Sequence, residues 1–64
     1  LKRAIRAMCA NNMLNNAQVL RNLRKEGFKV NKNQAYPLLW RMHKAGEIEK
    51  DVDGRTPYWY ISPV

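Results

Sequence analysis

The apolar positions of this 64-residue chain recur first with a helical period and later with a strand period. Leu1, Ala4, Ile5, Met8 and Cys9 stand at i, i+3, i+4, i+7 and i+8, which is one stripe of a helix. Lys2, Arg3 and Arg6 lie off that stripe, and Asn11-Asn12 ends it. Met13-Leu14 fits a very short extended segment. Asn15 or Asn16 is a good N-cap for a second helix over about Ala17–Glu26. Val19, Leu20 and Leu23 point inward there, Gly27 is the stop, and Phe28 and Val30 plug the turn beyond it.

Asn31 followed by Gln34 has capping-box spacing, so a third helix starts nearby. Pro37 removes one backbone donor and disfavours helical geometry at Tyr36. An irregular start is therefore expected, then a regular helix from Pro37 to Ala45, closed by Gly46. Residues 47–52 read as a strand, Asp53-Gly54 as a two-residue hairpin turn, and Thr56–Ser62 as the return strand. The pattern predicts an α+β fold: a winged helix-turn-helix with three helices and a small antiparallel sheet, the wing.

Charge sharpens that picture. The net charge is +7, but residues 1–46 hold ten basic side chains against Glu26 alone, a balance of +9. Residues 47–64 hold Lys50 and Arg55 against Glu47, Glu49, Asp51 and Asp53, a balance of −2. So dense a basic segment is the electrostatic footprint of a polyanion binder. A hydrophobic content of 45% suits a folded domain and argues against wholesale disorder. Residues 1–64 read as one small domain, and Leu1 in place of Met points to a piece of a longer protein. No apolar run approaches the ~20 residues that span a bilayer, so no membrane partner is expected. A single cysteine rules out an internal disulfide and fits an intracellular, reducing compartment, nucleus or cytoplasm.

The third helix carries the functional signal. At about 100° per residue, Ala35, Leu38, Leu39 and Met42 form its core face. Tyr36, Trp40 and His43 fall on another side, with Asn33 and Lys44 beside them. Trp40 projects roughly 150° from the core centre. An aromatic so placed either stacks on a ligand such as nucleic acid, or covers the hairpin or packs in a dimer or crystal contact.

The run Tyr36-Pro37-Leu38-Leu39-Trp40-Arg41, with Gly46, Ile48, Gly54, Tyr58 and Tyr60, resembles winged-helix transcription regulators, the PadR type in particular. That resemblance implies sequence-specific DNA binding. Lys32, Trp40, Pro57 and Trp59 are similar to the pattern of the Zα domain, the winged helix that binds left-handed Z-form DNA or RNA. Tyr36 stands where that pattern has Asn, and Trp40 where it has Tyr. The Zα resemblance implies that Lys32, Tyr36 and Thr56 read the zigzag backbone, that Trp40 packs on a base, and that Trp59 supports it.

In either version the third helix approaches a DNA or RNA duplex. Lys32, Arg41, Lys44, Lys29 and basic residues of the first two helices would neutralise phosphates. Asn31, Asn33 and Gln34 would bond phosphates or base edges. Arg55 at the wing tip would reach a neighbouring phosphate or the minor groove, and Pro57 lies on the same wing. The acids of the first wing strand are expected to face solvent on the far side. His43 reads as a surface residue, Cys9 as a core thiol, and Met8, Met13 and Met42 as core fillers. Trp59 and Ile61 are placed to share a face. There is no Gly-rich phosphate loop, metal cluster or nucleophile–base pair, so neither catalysis nor a cofactor is expected. The alternative from another class is a protein-interaction module of a larger assembly, anchored by Tyr36, Trp40 and the wing aromatics.

Overall fold

The computed structural model describes residues 1–62. The first apolar stripe folds as α1, Lys2–Asn11, which buries Ile5 and Cys9 while Ala4 and Met8 pack on the core from its flanks. Leu1, the first member of the stripe, is 41% exposed. It lies ahead of the helix and contributes only its carbonyl, which accepts the Ile5 N–H at 3.0 Å.

A two-residue strand, β1 (Leu14–Asn15), leads into α2, Asn16–Lys25. This helix starts and ends one residue earlier than Ala17–Glu26, because Asn15 is the cap. The Asn15 side chain accepts the Gln18 N–H at 2.8 Å, and the Gln18 side chain accepts the Asn15 N–H at 3.0 Å. Asn31 and Gln34 make the same reciprocal pair, at 3.1 Å each way, to open α3, Lys32–Lys44. Each box satisfies two backbone donors that a helix start would otherwise leave bare. Both helices also close alike. Gly27 (φ +95°) and Gly46 (φ +78°) take the left-handed conformation, and the next N–H reaches back to the helix: Phe28 to Leu23 O at 3.1 Å, Glu47 to Met42 O at 2.9 Å.

The expected irregular start of α3 is not found. The helix is regular from Lys32, with Pro37 inside it. Pro37 strands one carbonyl, that of Asn33, four residues back. Asn33 is exposed on the solvent side of the helix, and the capping box holds the first turn. The usual interior cost of proline is correspondingly reduced.

The hairpin is shifted as well. β2 is Glu49–Asp53 and β3 is Thr56–Tyr60, with Asp53 opposite Thr56, so the loop is Gly54-Arg55 rather than Asp53-Gly54. Gly54 has φ +66° and Arg55 does not have a positive φ, the pattern of a type II′ turn. β2 starts at Glu49, not at 47, because Gly46 and Glu47 complete the α3 cap. β3 ends at Tyr60, and the Ile61 N–H then bonds the Cys9 carbonyl at 3.1 Å, tying the return strand to α1.

The three strands form an antiparallel sheet in the order β1-β3-β2. Leu14 and Lys50 flank Trp59, and Asn15 and Asp51 flank Tyr58. Three helices with this sheet make the α+β fold expected, consistent with winged-helix topology. The core joins Ile5 and Cys9, Val19 and Leu23, and Ala35, Leu39 and Met42, closed by Leu14, Ile48 and Trp59. Leu38 is half-buried at its edge. Met13 is not core but 48% exposed, because Leu14 takes the inward position on β1 and strand alternation sends its neighbour out. Among the described residues no helix is long and apolar enough to cross a membrane.

Candidate nucleic-acid interface

The helical period of α3 puts Asn33, Tyr36, Trp40 and Lys44 on one stripe and leaves Arg41 about 100° round from Trp40. Trp40 is 45% exposed and Tyr36 half-buried, while Lys32, Asn33, Arg41 and Lys44 are exposed. The half of Trp40 that is covered lies against the wing. Its ring meets that of Trp59 edge-on, centroids 5.7 Å apart at 81°. This is the arrangement that aromatic quadrupoles favour. The ring thus covers the hairpin with one part and leaves the rest open to solvent.

Trp59 itself is fully buried, at 0% exposure. It offers no exposed surface to a ligand and lies behind Trp40. The physical reason is its inward register on β3, between Leu14 and Lys50. Its indole N–H donates to the Asn16 Oδ1 at 2.6 Å, which satisfies the one polar atom that burial would orphan. That bond fixes the ring to the start of α2 and hence fixes the surface on which Trp40 rests.

His43 is not a plain surface residue. It is half-buried, its ring centroid 6.1 Å from that of Trp40 and 6.0 Å from that of Trp59. Its Nδ1 lies 3.3 Å from the Ile48 carbonyl.

Lys50 was not legible as a site residue. Its Nζ lies 3.9 Å from the centroid of the Trp40 ring. A cation so placed is attracted to the indole face by about 0.5–1 kcal/mol at an exposed site. The signal for it was strand alternation: Glu49, Asp51 and Asp53 share one side of β2, and Lys50 is on the other, opposite Trp59. Those three acids are exposed, away from the Trp40 side, as the sequence suggested. Glu47 faces α1 instead, pairing with Arg6 at 3.5 Å and Lys2 at 3.7 Å.

On the wing, Pro57 lies on the Trp59 side of β3, half-buried, opposite exposed Val52. Thr56 and Arg55 are exposed at the tip. The structure therefore brings Trp40 and Lys50 together over Trp59, keeps Tyr36 and Lys44 on the Trp40 stripe of α3 and Pro57 on the Trp59 side of β3, sets Arg55 at the tip, and places Arg41 apart. Burial pushes the Cys9 thiol up to about 11, which keeps it protonated at neutral pH, in line with a core role. Among the described residues no group of three metal-ligating side chains occurs. No protein-family model matches the chain, and neither does any curated protein.

Proposed function

We propose that this domain binds duplex nucleic acid through α3 and the inner side of its wing. The observation that carries the proposal is the setting of Trp40. A large aromatic is nearly half exposed, held edge-on by a buried and hydrogen-bonded Trp59, with a lysine ammonium over its ring. A half-exposed indole held by its neighbours offers a surface that can pack on a base edge or on a base that the duplex leaves accessible. It sits in the segment that carries +9, while the acids of β2 face elsewhere.

The same setting favours the left-handed, Z-form version over general duplex binding. There one aromatic of α3 would pack on a base and the wing Trp would back it, with Pro57 alongside. Lys32, Tyr36 and Thr56 would meet the backbone, and Lys44 and Lys50 would neutralise phosphates. Lys50 moves from the indole to a phosphate as a base arrives.

Labelled B-form, Z-form and single-stranded oligonucleotides titrated at low and moderate salt test the proposal. Binding at low salt that weakens steeply with salt is expected. With alternating CG duplexes the domain should invert the circular dichroism spectrum, and Trp40→Ala should abolish the inversion. Absence of binding to every oligonucleotide at low salt would sink the nucleic-acid function. A spectrum that stays right-handed at saturation would sink the Z-form version alone.

A further inference from the structure

A second concave surface opens beside Tyr36, one helical turn before Trp40. It is a groove of ≈ 500 Å³ between α2 and α3, walled by Ala17, Leu20, Arg21, Arg24, Lys25 and Tyr36. Arg21, Arg24 and Lys25 stand at i, i+3 and i+4 on one side of α2, where like charges are neighbours and repel. No acid lines the groove with them. Both ion pairs among the described residues end on Glu47, and neither involves these three cations. Glu26, the nearest acid in sequence, lines another groove on the α1 side of α2, where Lys25 stands beside it.

Arg24 is also pre-positioned. Its Nε donates to the Val30 carbonyl at 3.3 Å, so the turn after α2 holds the guanidinium at the groove. That bond engages one of five donors and leaves the others for an anion. Leu20 and half-buried Tyr36 supply an apolar floor and wall that lower the local dielectric, and a charge-assisted bond is stronger there than in open water. Three cations round a concave surface that no acid lines, one of them held in place, describe a site for phosphate rather than a solvated helix face.

We propose that this α2–α3 groove binds backbone phosphates of the same nucleic acid that passes over Trp40, extending the contact from the wing across α3 to α2. The inference rests on the nucleic-acid function proposed above. Tyr36 is the hinge between the two surfaces: it walls the groove and precedes Trp40 by four residues, about 6 Å along the helix axis.

The test is the salt dependence of binding to one duplex for three forms of the chain. Wild type is compared with Arg21→Gln/Lys25→Gln and with Ala7→Glu/Ala10→Glu, an equal charge change at two exposed positions of α1. Arg24 is left in place because its bond to Val30 holds the turn. Each phosphate contact contributes about 0.9 to the slope of log K against log salt. The groove variant should lose nearly 2 from that slope and bind at least tenfold more weakly at low salt, while the α1 variant keeps a slope close to wild type. Equal slopes for the two variants would overturn the groove and leave the Trp40 interface standing. Failure of wild type to bind at low salt would overturn the function itself, and the groove with it.

Discussion

The two faces of the three-stranded sheet differ more than their shared backbone suggests. The inner face presents Leu14, Trp59 and Lys50, and it supports Trp40. The outer face presents Tyr58 and Tyr60 beside the exposed acids Glu49, Asp51 and Asp53. Strand alternation alone makes this division, since each neighbour in sequence points the opposite way. A hairpin with a net charge of −2 therefore still offers a cation to the side that carries the aromatics. Average charge over a segment hides what alternation separates.

The largest effect should come from the inner face. Trp59→Ala removes the largest fully buried side chain. Truncating a buried aromatic costs about 3–5 kcal/mol. A 64-residue domain has only about 3–10 kcal/mol in total, at the usual stability per residue. The variant should be largely unfolded at 37 °C, seen as lost helical circular dichroism. A cooperative melt close to that of wild type would mean that the inner face is not the structural one.

A smaller loss should follow Asn16→Ala, which removes the acceptor of the Trp59 indole N–H. A buried donor left without its partner costs about 1–3 kcal/mol. The urea midpoint should fall while its slope with denaturant stays unchanged, since the surface exposed on unfolding is the same. An unchanged midpoint would show that water replaces Asn16, and that the ring is positioned by packing alone.

Much of the fold could be read from residue order, and its misses have specific causes. The Gly27 and Gly46 stops, the Asn31–Gln34 box and the helical stripes are local signals, and each reappears in the structure. Pro37 misled because its cost depends on whether the stranded carbonyl can meet water, and exposure is a tertiary property. The hairpin slipped by one residue because Asp53-Gly54 and Gly54-Arg55 both satisfy a glycine-turn rule, and pairing across the sheet decides between them. Met13 misled because alternation on a two-residue strand has no period to reveal it. The candidate site was legible at Trp40 and Tyr36, where a helical projection suffices. Burial of Trp59 and the approach of Lys50 depend on strand pairing between segments that projection treats separately. Arg21, Arg24 and Lys25 were visible as charge, but not as one wall of a groove.

The finest test uses two adjacent residues of β2. Lys50 and Asp51 share a backbone and lie at almost the same distance along the wing, but alternate between the two faces. Lys50→Gln should weaken duplex binding several-fold at low salt, with stability within about 0.5 kcal/mol of wild type, as for most surface changes. Asp51→Asn makes a charge change of the same size on the other face and should shift affinity less than twofold, in the favourable direction. That small shift should vanish near 0.15 M salt, where charges more than about 8 Å apart are screened. A direct phosphate contact by Lys50 should show as a loss of about 0.9 from the slope of log K against log salt in Lys50→Gln, with the Asp51→Asn slope close to wild type. Equal and salt-sensitive effects from the two substitutions would mean that binding senses only the overall charge of the hairpin. The division of the sheet into a binding face and a solvent face would then have no functional content.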